Sequence, residues 1–300
     1  MSVKKFNTQA TFNQQNFRPR GFQYPVGLST RIVEGPADRN CEVLVVGAGG
    51  RSTAGAGGAG ALYYASGVPF SSAQSVTIGS GTPGAPKGGD SSIGPITAAG
   101  GGGAFQPGGS GGGDISPGVF GSATASPGGS NGSVSPASGW GNPGGPGTYN
   151  GVTYGGGGGG GAGASGGGAP GPSSPGVGGA GLLYSISGSS VGYAGGGGGG
   201  NIDAPGNSTP GATNPSTPAT YGGAINGAGT ANRGGGGGGP GPYRAPTSYG
   251  GSGVVIVRYN GACSATGGSV TTSGDDTIHT FTGSGTFTPQ NTQTTLYVID

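Results

Sequence analysis

Residues 155–161 read GGGGGGG, and further glycine runs occupy residues 100–103, 195–200 and 234–239. The runs that start at 155, 195 and 234 begin 40 and 39 residues apart, and this near-constant spacing indicates a repeated structural unit. Ordering a glycine run costs more backbone entropy than ordering any other sequence. If these runs fold, we therefore expect a dense set of hydrogen bonds to hold them.

An extended three-fold helix of the polyproline II type suits such runs. It makes no internal hydrogen bonds, so its N–H and C=O groups point outward and need partners when they are buried. Neighbouring glycine helices can supply these partners because no Cβ keeps the backbones apart. Seven residues at about 3.1 Å each would give a slab roughly 22 Å thick. The competing interpretation is a flexible Gly/Ser linker, but flanking apolar strands and 12 tyrosines argue against it.

Short β-branched runs flank the glycine-rich region. The runs at 42–46 and 254–259 are typical of buried strands, 74–78 alternates like a half-buried strand, and 182–186 is a fourth candidate. Glycine or proline interrupts every window of 12 residues between 41 and 260, which nearly excludes helix. The sequence predicts a mainly β and irregular fold: a lattice of polyproline- or polyglycine-II-like helices bracketed by short β-strands, with almost no α-helix.

The first and last strands are predicted to pair antiparallel and close the domain. Neither forms a stable sheet alone, and open strand edges favour aggregation. Antiparallel pairing would bring Cys41, just before the first strand, near Cys263, just after the last. The two thiols would then form either a disulfide or an adjacent reduced pair.

The composition excludes several classes of protein. Glycine and proline account for 83 and 24 of 300 residues, while 30% are hydrophobic and 7% charged, so the chain lacks the rigid core that an enzyme site needs. His279, the only histidine, lies in an alternating strand pattern, and we interpret Asp275-Asp276 as a solvated turn rather than a cation site. We therefore expect no enzyme, no catalytic residue, no metal site and no cofactor. The sequence contains no run of about 18 apolar residues, so we expect no membrane-spanning helix.

Charge divides the chain into three predicted regions. Residues 1–40 carry six basic and two acidic residues, with aromatic residues spaced through Gln/Asn-rich sequence. This pattern is typical of an arm that lies on a partner surface, and the alternative is a solvated terminus. Residues 41–260 form the glycine-rich domain. Residues 261–300, which include three acidic and no basic residues, form a C-terminal β-motif. The basic residues of the arm are too sparse to predict nucleic-acid binding.

Four motifs resemble those of a known family. They are VLVVGAGG at 43–50, SVTIGSG at 75–81, GGSGVVIVRY at 250–259 and IHTFTGSGTFT at 278–288. Together with the glycine runs, they look like the glycine-rich domain of phage tail-fibre and adhesin proteins, over residues 41–300. In that family the last motif usually precedes the glycine-rich domain, whereas here it follows. The resemblance implies a sandwich of polyglycine II helices whose loops contact the host receptor.

The resemblance leads us to expect a virion structural protein, a tail fibre or tail-tip adhesin that is assembled in the host cytoplasm. Its expected partners are other virion proteins through residues 1–40, and a host surface glycan or outer-membrane protein; we expect a homo-oligomer, with a trimer favoured, and no nucleic acid. Because flat rings stack on sugars, exposed loop aromatics are the candidate receptor contacts: Trp140, Tyr149, Tyr154, Tyr221, Tyr243 and Tyr249. These rings would alternatively only cap the glycine slab. The alternative function is a passive capsid, head-fibre or extracellular filament subunit without a receptor.

Overall fold

The computed structural model describes eleven segments of the chain. They are residues 28–34, 39–53, 55–81, 86–115, 141–151, 154–172, 174–201, 227–239, 248–261, 264–290 and 293–299. In these segments the hydrogen-bonded regular elements are β-strands, and none is an α-helix or a 3₁₀-helix. This confirms the predicted mainly β fold. Strands are numbered below in chain order.

The first sheet contains five antiparallel strands. In spatial order they are β13 (Ser269–Ser273), β14 (Asp276–Phe281), β11 (Val254–Asn260), β2 (Arg39–Val46) and β3 (Leu62–Phe70). Strand β11 pairs with β2 in the register that puts Val254 opposite Val46 and Arg258 opposite Glu42. The predicted antiparallel closure of the domain is therefore confirmed. Cys41 is buried in β2, whereas Cys263 lies outside the described residues, so the cysteine pair stays a prediction.

A second five-stranded antiparallel sheet packs on one face of the first. In order, it contains β12 (Ala265–Thr266), β15 (Gly285–Pro289), β4 (Gln74–Thr77), β5 (Ser91–Ile93) and β6 (Ile96–Ala98). Between the two sheets, Val43, Val45 and Val255 pack with Ile93 and Phe287 in one buried apolar cluster. The two sheets thus form a small β-sandwich, in which strands from 261–300 complete both layers.

The opposite face of the first sheet is also buried. The hairpin of β9 (Leu182–Tyr184) and β10 (Val191–Tyr193) covers it and packs on Leu44, Val46 and Ile256. Because both faces of β2 and β11 are covered, their sequences are almost continuously apolar rather than alternating. The strands predicted at 42–46, 74–78, 182–186 and 254–259 are thereby confirmed.

Two further strand pairs lie outside the sandwich. The hairpin β7 (Thr148–Tyr149) and β8 (Tyr154–Gly155) consists of two-residue strands. Strand β1 (Leu28–Glu34) pairs antiparallel with β16 (Gln293–Ile299), so it joins the two ends of the chain. The sequence analysis assigned residues 28–34 to the arm and did not predict this pairing.

The glycine runs form a lattice of extended helices joined mainly by backbone hydrogen bonds. In residues 156–161, each successive N–H points to a different neighbour, and every third residue returns to the same one. Gly156 and Gly159, for example, donate to the carbonyls of Gly200 and Gly197, at 2.7 and 2.9 Å. Counting acceptors as well, this helix has six neighbours: 56–59, 111–114, 142–145, 164–167, 176–179 and 197–200. Three-residue periodicity with six neighbours is the packing expected of three-fold polyglycine helices.

A second helix, residues 55–61, also lies inside the lattice. Its hydrogen-bonded neighbours include 47–50, 99–102, 157–160 and 234–237. Some neighbours run parallel to it and others antiparallel. Gly57 and Gly60 donate to the descending series Gly237 and Gly234, whereas Ala56 and Ala59 donate to the ascending series Gly157 and Gly160. The lattice therefore accepts chains in both directions.

In the helix 155–161, glycine is required because of close approach rather than backbone conformation. No glycine in 155–161 has a positive φ, so another residue could adopt the same backbone angles. A Cβ added at Gly159, however, would overlap the carbonyl oxygen of Gly57, and one added at Gly197 would overlap that of Gly237. The absence of side chains thus allows each backbone to reach its neighbours.

Candidate functional site

The glycine helices extend away from the first sheet and turn back at a distal end. Strand β2 continues into 47–51, and residues 55–61 return to β3, with Gly50 N–H donating to Gly58 O at 2.8 Å between the two legs. Residues 155–161 run parallel to 55–61 and end at Ala162, which packs in the core beneath the first sheet. Residues 51–53, residue 55 and the hairpin β7–β8 therefore lie at the same end of the lattice, which we call the distal end.

Two of the predicted aromatic residues meet at the distal end. Tyr149 and Tyr154 are opposite each other in the β7–β8 hairpin, and their rings stack with centroids 4.1 Å apart and planes 12° from parallel. The Tyr149 hydroxyl donates a hydrogen bond to the carbonyl of Gly151 at 2.6 Å, which fixes the ring over the hairpin turn. Tyr149 remains 41% exposed, and Tyr154 is half-buried. We call these two rings the tyrosine pair.

The hairpin is anchored to the lattice through its backbone. Gly155 bridges to Asn201 at the end of the helix 194–201, and Gly156 N–H donates to Gly200 O at 2.7 Å. Thr148, half-buried at the start of the hairpin, pairs with Gly155. The tyrosine pair therefore stands on hydrogen-bonded backbone rather than on a long loop.

Tyr249 occupies a different part of the distal end. The Arg51 guanidinium lies 5.8 Å from the centre of its ring, a distance at which a cation attracts an aromatic face. Next to it, Ser52 N–H donates to Ser248 O at 2.8 Å, and the buried Ser52 hydroxyl donates to Gly238 O at 2.6 Å. Tyr249 is half-buried in this packing. Among the described residues, no ring contact joins it to the tyrosine pair.

The remaining candidate aromatics lie outside the described residues. These are Trp140, Tyr221 and Tyr243. Of the six candidates, the structure thus brings together Tyr149 and Tyr154 and places Tyr249 elsewhere.

The sequence analysis missed a hydrogen-bond network inside the sandwich. His279 Nδ1 lies 2.7 Å from the Gly267 carbonyl, which can only accept, so Nδ1 carries the proton and donates. Nε2 then accepts from the Tyr259 hydroxyl at 3.0 Å, and that oxygen accepts from Ser264 N–H at 3.2 Å. His279 is fully buried. Its strand position was predicted, but its partners lie earlier in the chain, Tyr259 in the neighbouring strand β11 and Gly267 in the turn before β13, and the strand pattern does not reveal them.

Asp276 forms an ion pair with Arg258 at the protein surface. The Arg258 guanidinium donates to Asp276 Oδ2 at 2.6 and 3.0 Å, and Asn260 donates to Oδ1 at 3.0 Å. These bonds hold the pKa of the Asp276 carboxyl below its usual value of 3.8. The residue thus begins β14 with its carboxylate bound by an arginine. In the described part of the chain, no three His, Cys, Asp or Glu side chains are grouped closely enough to hold a metal ion.

The tyrosines around the β9–β10 hairpin belong to its packing. Tyr64 and Tyr184 have ring centroids 4.8 Å apart. Burial raises the pKa of the Tyr184 hydroxyl, and burial together with the nearby Glu42 carboxylate raises that of Tyr64. Burial likewise raises the pKa of Tyr193, whose ring lies under the Arg233 guanidinium. These rings stay neutral at physiological pH and fasten the hairpin to the sheet.

The fold defines an all-β protein in which a sandwich carries a lattice of glycine helices. A family model described as a glycine-rich domain matches residues 27–260, and since this is more than half of the chain, the protein belongs to that family. The family description names a composition and no activity. Comparisons with curated proteins and with solved structures find no significant match. Within the described residues, no helix is long and apolar enough to cross a membrane.

Proposed function

We propose that this protein is a virion structural protein, a phage tail fibre or tail-tip adhesin that binds a polymer on the host cell surface. The observation that carries the proposal is the tyrosine pair, an exposed aromatic stack held at the distal end of a rigid lattice. On this proposal the protein is assembled in the host cytoplasm, joins other virion proteins through its N-terminal arm and presents the distal end outward.

The lattice supports this role because it is a stiff carrier for a binding surface. Its helices are bonded in three directions, and few of its residues have side chains that must be packed. Sites held on rigid elements lose less entropy on binding than sites on flexible loops.

The tyrosine pair supports a carbohydrate ligand. Aromatic rings present flat apolar faces to sugar rings, and fixing a tyrosine costs little entropy because it has only two side-chain torsions. Asn150 is exposed in the turn between the two rings. No charged residue occurs between 115 and 202, so this part of the surface favours a neutral polymer over an acidic one.

Cell binding by the purified protein tests the proposal. We expect Tyr149→Ala to weaken binding to host cells at least about tenfold, because exposed aromatic anchors dominate binding energy at interfaces. Tyr149→Phe keeps the stack and separates the loss of the ring from the loss of the hydroxyl. The matched control is Val270→Ala, which removes a similarly exposed apolar side chain, 45% against 41%, from the first sheet.

The alternative is a passive capsid, head-fibre or extracellular filament subunit. No cell binding by the wild-type protein would favour it, whereas equal binding by the Tyr149→Ala and Val270→Ala proteins would place the receptor contact away from the tyrosine pair. Labelled particles viewed by electron microscopy separate the two positions, because an adhesin lies at the tail tip and a head fibre lies on the capsid.

The role of the arm requires a truncation that spares the folded part. Because β1 begins at Leu28 and pairs with β16, we choose deletion of residues 1–27. We expect the shortened protein to fold and bind cells but to be missing from particles. Normal incorporation of the shortened protein would contradict attachment through these residues.

A further inference from the structure

We propose that one exposed edge of the glycine lattice is a self-association surface, which docks the same edge of a second copy of this chain. This edge, called here the outer edge, consists of three adjacent rows of residues spaced three apart: Pro143 and Pro146, Ser165 and Gly168, Val177 and Ala180. All are exposed except Ala180, which is half-buried. The inference stands apart from the proposed function.

The middle row belongs to a helix, residues 163–169, that has lattice neighbours on one side only. Gly166 and Ala169 donate to the carbonyls of Pro143 and Pro146, and Gly167 donates to Val177 O, all at 2.8–3.0 Å. The helix 155–161 lies behind it and donates to its carbonyls at Ala164 and Gly167. These bonds use two of the three faces of the helix.

The third face is open. Within the part of the chain that the structure describes, the N–H groups of Ser165 and Gly168 have no hydrogen-bond partner. They are three residues apart, or about 9.3 Å along a three-fold helix. This is the repeat by which the helix 155–161 binds each of its neighbours. The outer edge is thus a template for one more extended chain, as an uncovered edge strand is for a β-sheet.

Electrostatics favour a second copy at this edge. Exposed edges are commonly protected from self-association by charged side chains. Here the sequence contains no Asp, Glu, Lys, Arg or His from residue 115 to residue 202, and all three rows lie inside that stretch. Two copies can therefore approach through this edge without repulsion between like charges.

Geometry also favours the same edge of a second copy as the occupant. A two-fold axis makes the two contacting helices antiparallel, and the lattice already contains antiparallel neighbours, such as 156–159 with 197–200. Only a chain with little side-chain bulk can approach at lattice spacing, and the middle row of the outer edge, Ser165 and Gly168, consists of such residues. The contact would continue the interface that 163–169 already makes inside the molecule.

The size of the edge sets the expected strength. The helix 163–169 is about 22 Å long, and three helices side by side at a spacing near 4.8 Å cover roughly 300 Å² on each copy. This is below the range of permanent complexes, so the association should be weak and dependent on concentration. An isologous contact also predicts pairs of molecules, whereas the sequence analysis favoured a trimer.

Sedimentation velocity of the full-length protein at increasing concentration, up to about 200 µM, tests the proposal. We expect the wild-type protein to shift from monomer to dimer. Ser165→Lys, which puts a charge on the middle row without disturbing the interior, should weaken the dimer at least about tenfold. The matched control is Ser71→Lys, an identical change at an exposed serine outside the lattice, and it should dimerise like the wild type.

Val177→Lys provides a second block on a neighbouring row, and the melting temperature of each variant verifies that it folds. A wild-type protein that stays monomeric at every concentration would overturn the proposal and would fit an edge covered by another segment of the same chain. Dimers or trimers that form equally well with Lys at 165 and at 177 would place the contact elsewhere. Loss of dimerisation in both variants, with cell binding unchanged, would separate this surface from the tyrosine pair.

Discussion

The sandwich and the glycine lattice are both buried, but side chains hold the sandwich together and backbone groups hold the lattice together. In the sandwich, side chains such as Val45, Ile93 and Phe287 fill the space between sheets, and strands pair only at their edges. In the lattice, almost no side chain intervenes, and helix 155–161 makes backbone bonds to six neighbours. A protein can therefore bury a region with little hydrophobic material if hydrogen bonding of the backbone extends in all lateral directions.

Glycine differs in its role between the two regions. In the sandwich turns, Gly267 and Gly274 have φ of 110° and 61°, angles that residues with a Cβ rarely adopt. In the helix 155–161, φ is ordinary and the missing Cβ is what matters. A substitution should thus disturb the local turn in one region and the contact between helices in the other.

The largest expected effect comes from adding a side chain inside the lattice. Gly197→Val would put carbon atoms onto the Gly237 carbonyl and separate two helices. We expect a loss of at least about 4 kcal/mol in the free energy of unfolding, because several backbone groups lose partners at about 1–3 kcal/mol each. Urea unfolding measures it.

The control for this change lies just after the lattice helix 163–169, where Ser174 N–H donates to Gly171 O at 3.0 Å. A Cβ at Gly171 would have no atom within 4 Å, so Gly171→Val should cost less than about 1 kcal/mol. Similar losses at positions 197 and 171 would mean that close backbone packing does not stabilise the lattice.

An intermediate effect is expected in the sandwich network. Tyr259→Phe removes the hydroxyl that joins Ser264 N–H to His279 Nε2, and both groups then lack a partner in a buried site. We expect a loss of about 2 kcal/mol in the free energy of unfolding. Amide hydrogen exchange should accelerate at Ser264 before it does in the glycine runs.

Tyr63→Phe is the matched change, since the Tyr63 hydroxyl takes part in no hydrogen bond among the described residues, although its ring packs against the same core. It should be close to neutral. If Tyr259→Phe is equally neutral, the network does not contribute to stability as its geometry indicates.

The smallest effect concerns pH and distinguishes the regions by charge. The pKa of Asp276 is lowered by Arg258, so its ion pair stabilises the folded protein above the usual value of 3.8 and is lost as pH falls below it. Asp276→Asn should therefore be slightly less stable than the wild type at pH 7, and the two proteins should converge in acid. Unfolding curves at both pH values measure the difference.

Asp275→Asn is the neighbouring control because Asp275 forms no ion pair within the described residues. Hydrogen exchange in 155–161 should not respond to Asp275→Asn or Asp276→Asn, since neither aspartate belongs to the six neighbours of this helix. A difference between wild type and Asp276→Asn that persists unchanged at pH 2 would rule out the ion pair as its cause.

The strands that the sequence predicted are those with continuous or alternating β-branched residues. Strand β3 was missed because Gly67 and Pro69 interrupt its pattern, and both lie near a bulge where β2 and β3 shift register between Cys41 and Val43. Gly67 has a φ of 73°, an angle that fits such an irregularity. The hairpin of β5 and β6 was missed because three-residue strands are too short to show a period.

The type of structure in the lattice, packed three-fold glycine helices, could be predicted because buried backbone groups in a glycine run must find hydrogen-bond partners. The spacing of 40 and 39 residues also has a structural counterpart, since 155–161 contacts 195–200, which in turn contacts 234–239. The order of the other neighbours could not be predicted, because glycines carry no side chain that identifies a partner. Tyr149 and Tyr154 were predicted separately. Their stacking depends on a hairpin whose strands are two residues long, which sequence patterns do not resolve.

The three-residue repeat of the lattice has a consequence for how the chain reaches this structure. If helix 155–161 slid by three residues along its neighbours, most of its hydrogen bonds would re-form with equivalent partners. The glycines alone therefore do not distinguish the native alignment from the shifted ones. The residues at the two ends make this distinction: Ala162 is buried beneath the first sheet, and Tyr154 stacks on Tyr149 at the distal end. Slipped alignments are therefore the kinetic traps expected during folding, and the few side chains at the helix ends select the native alignment.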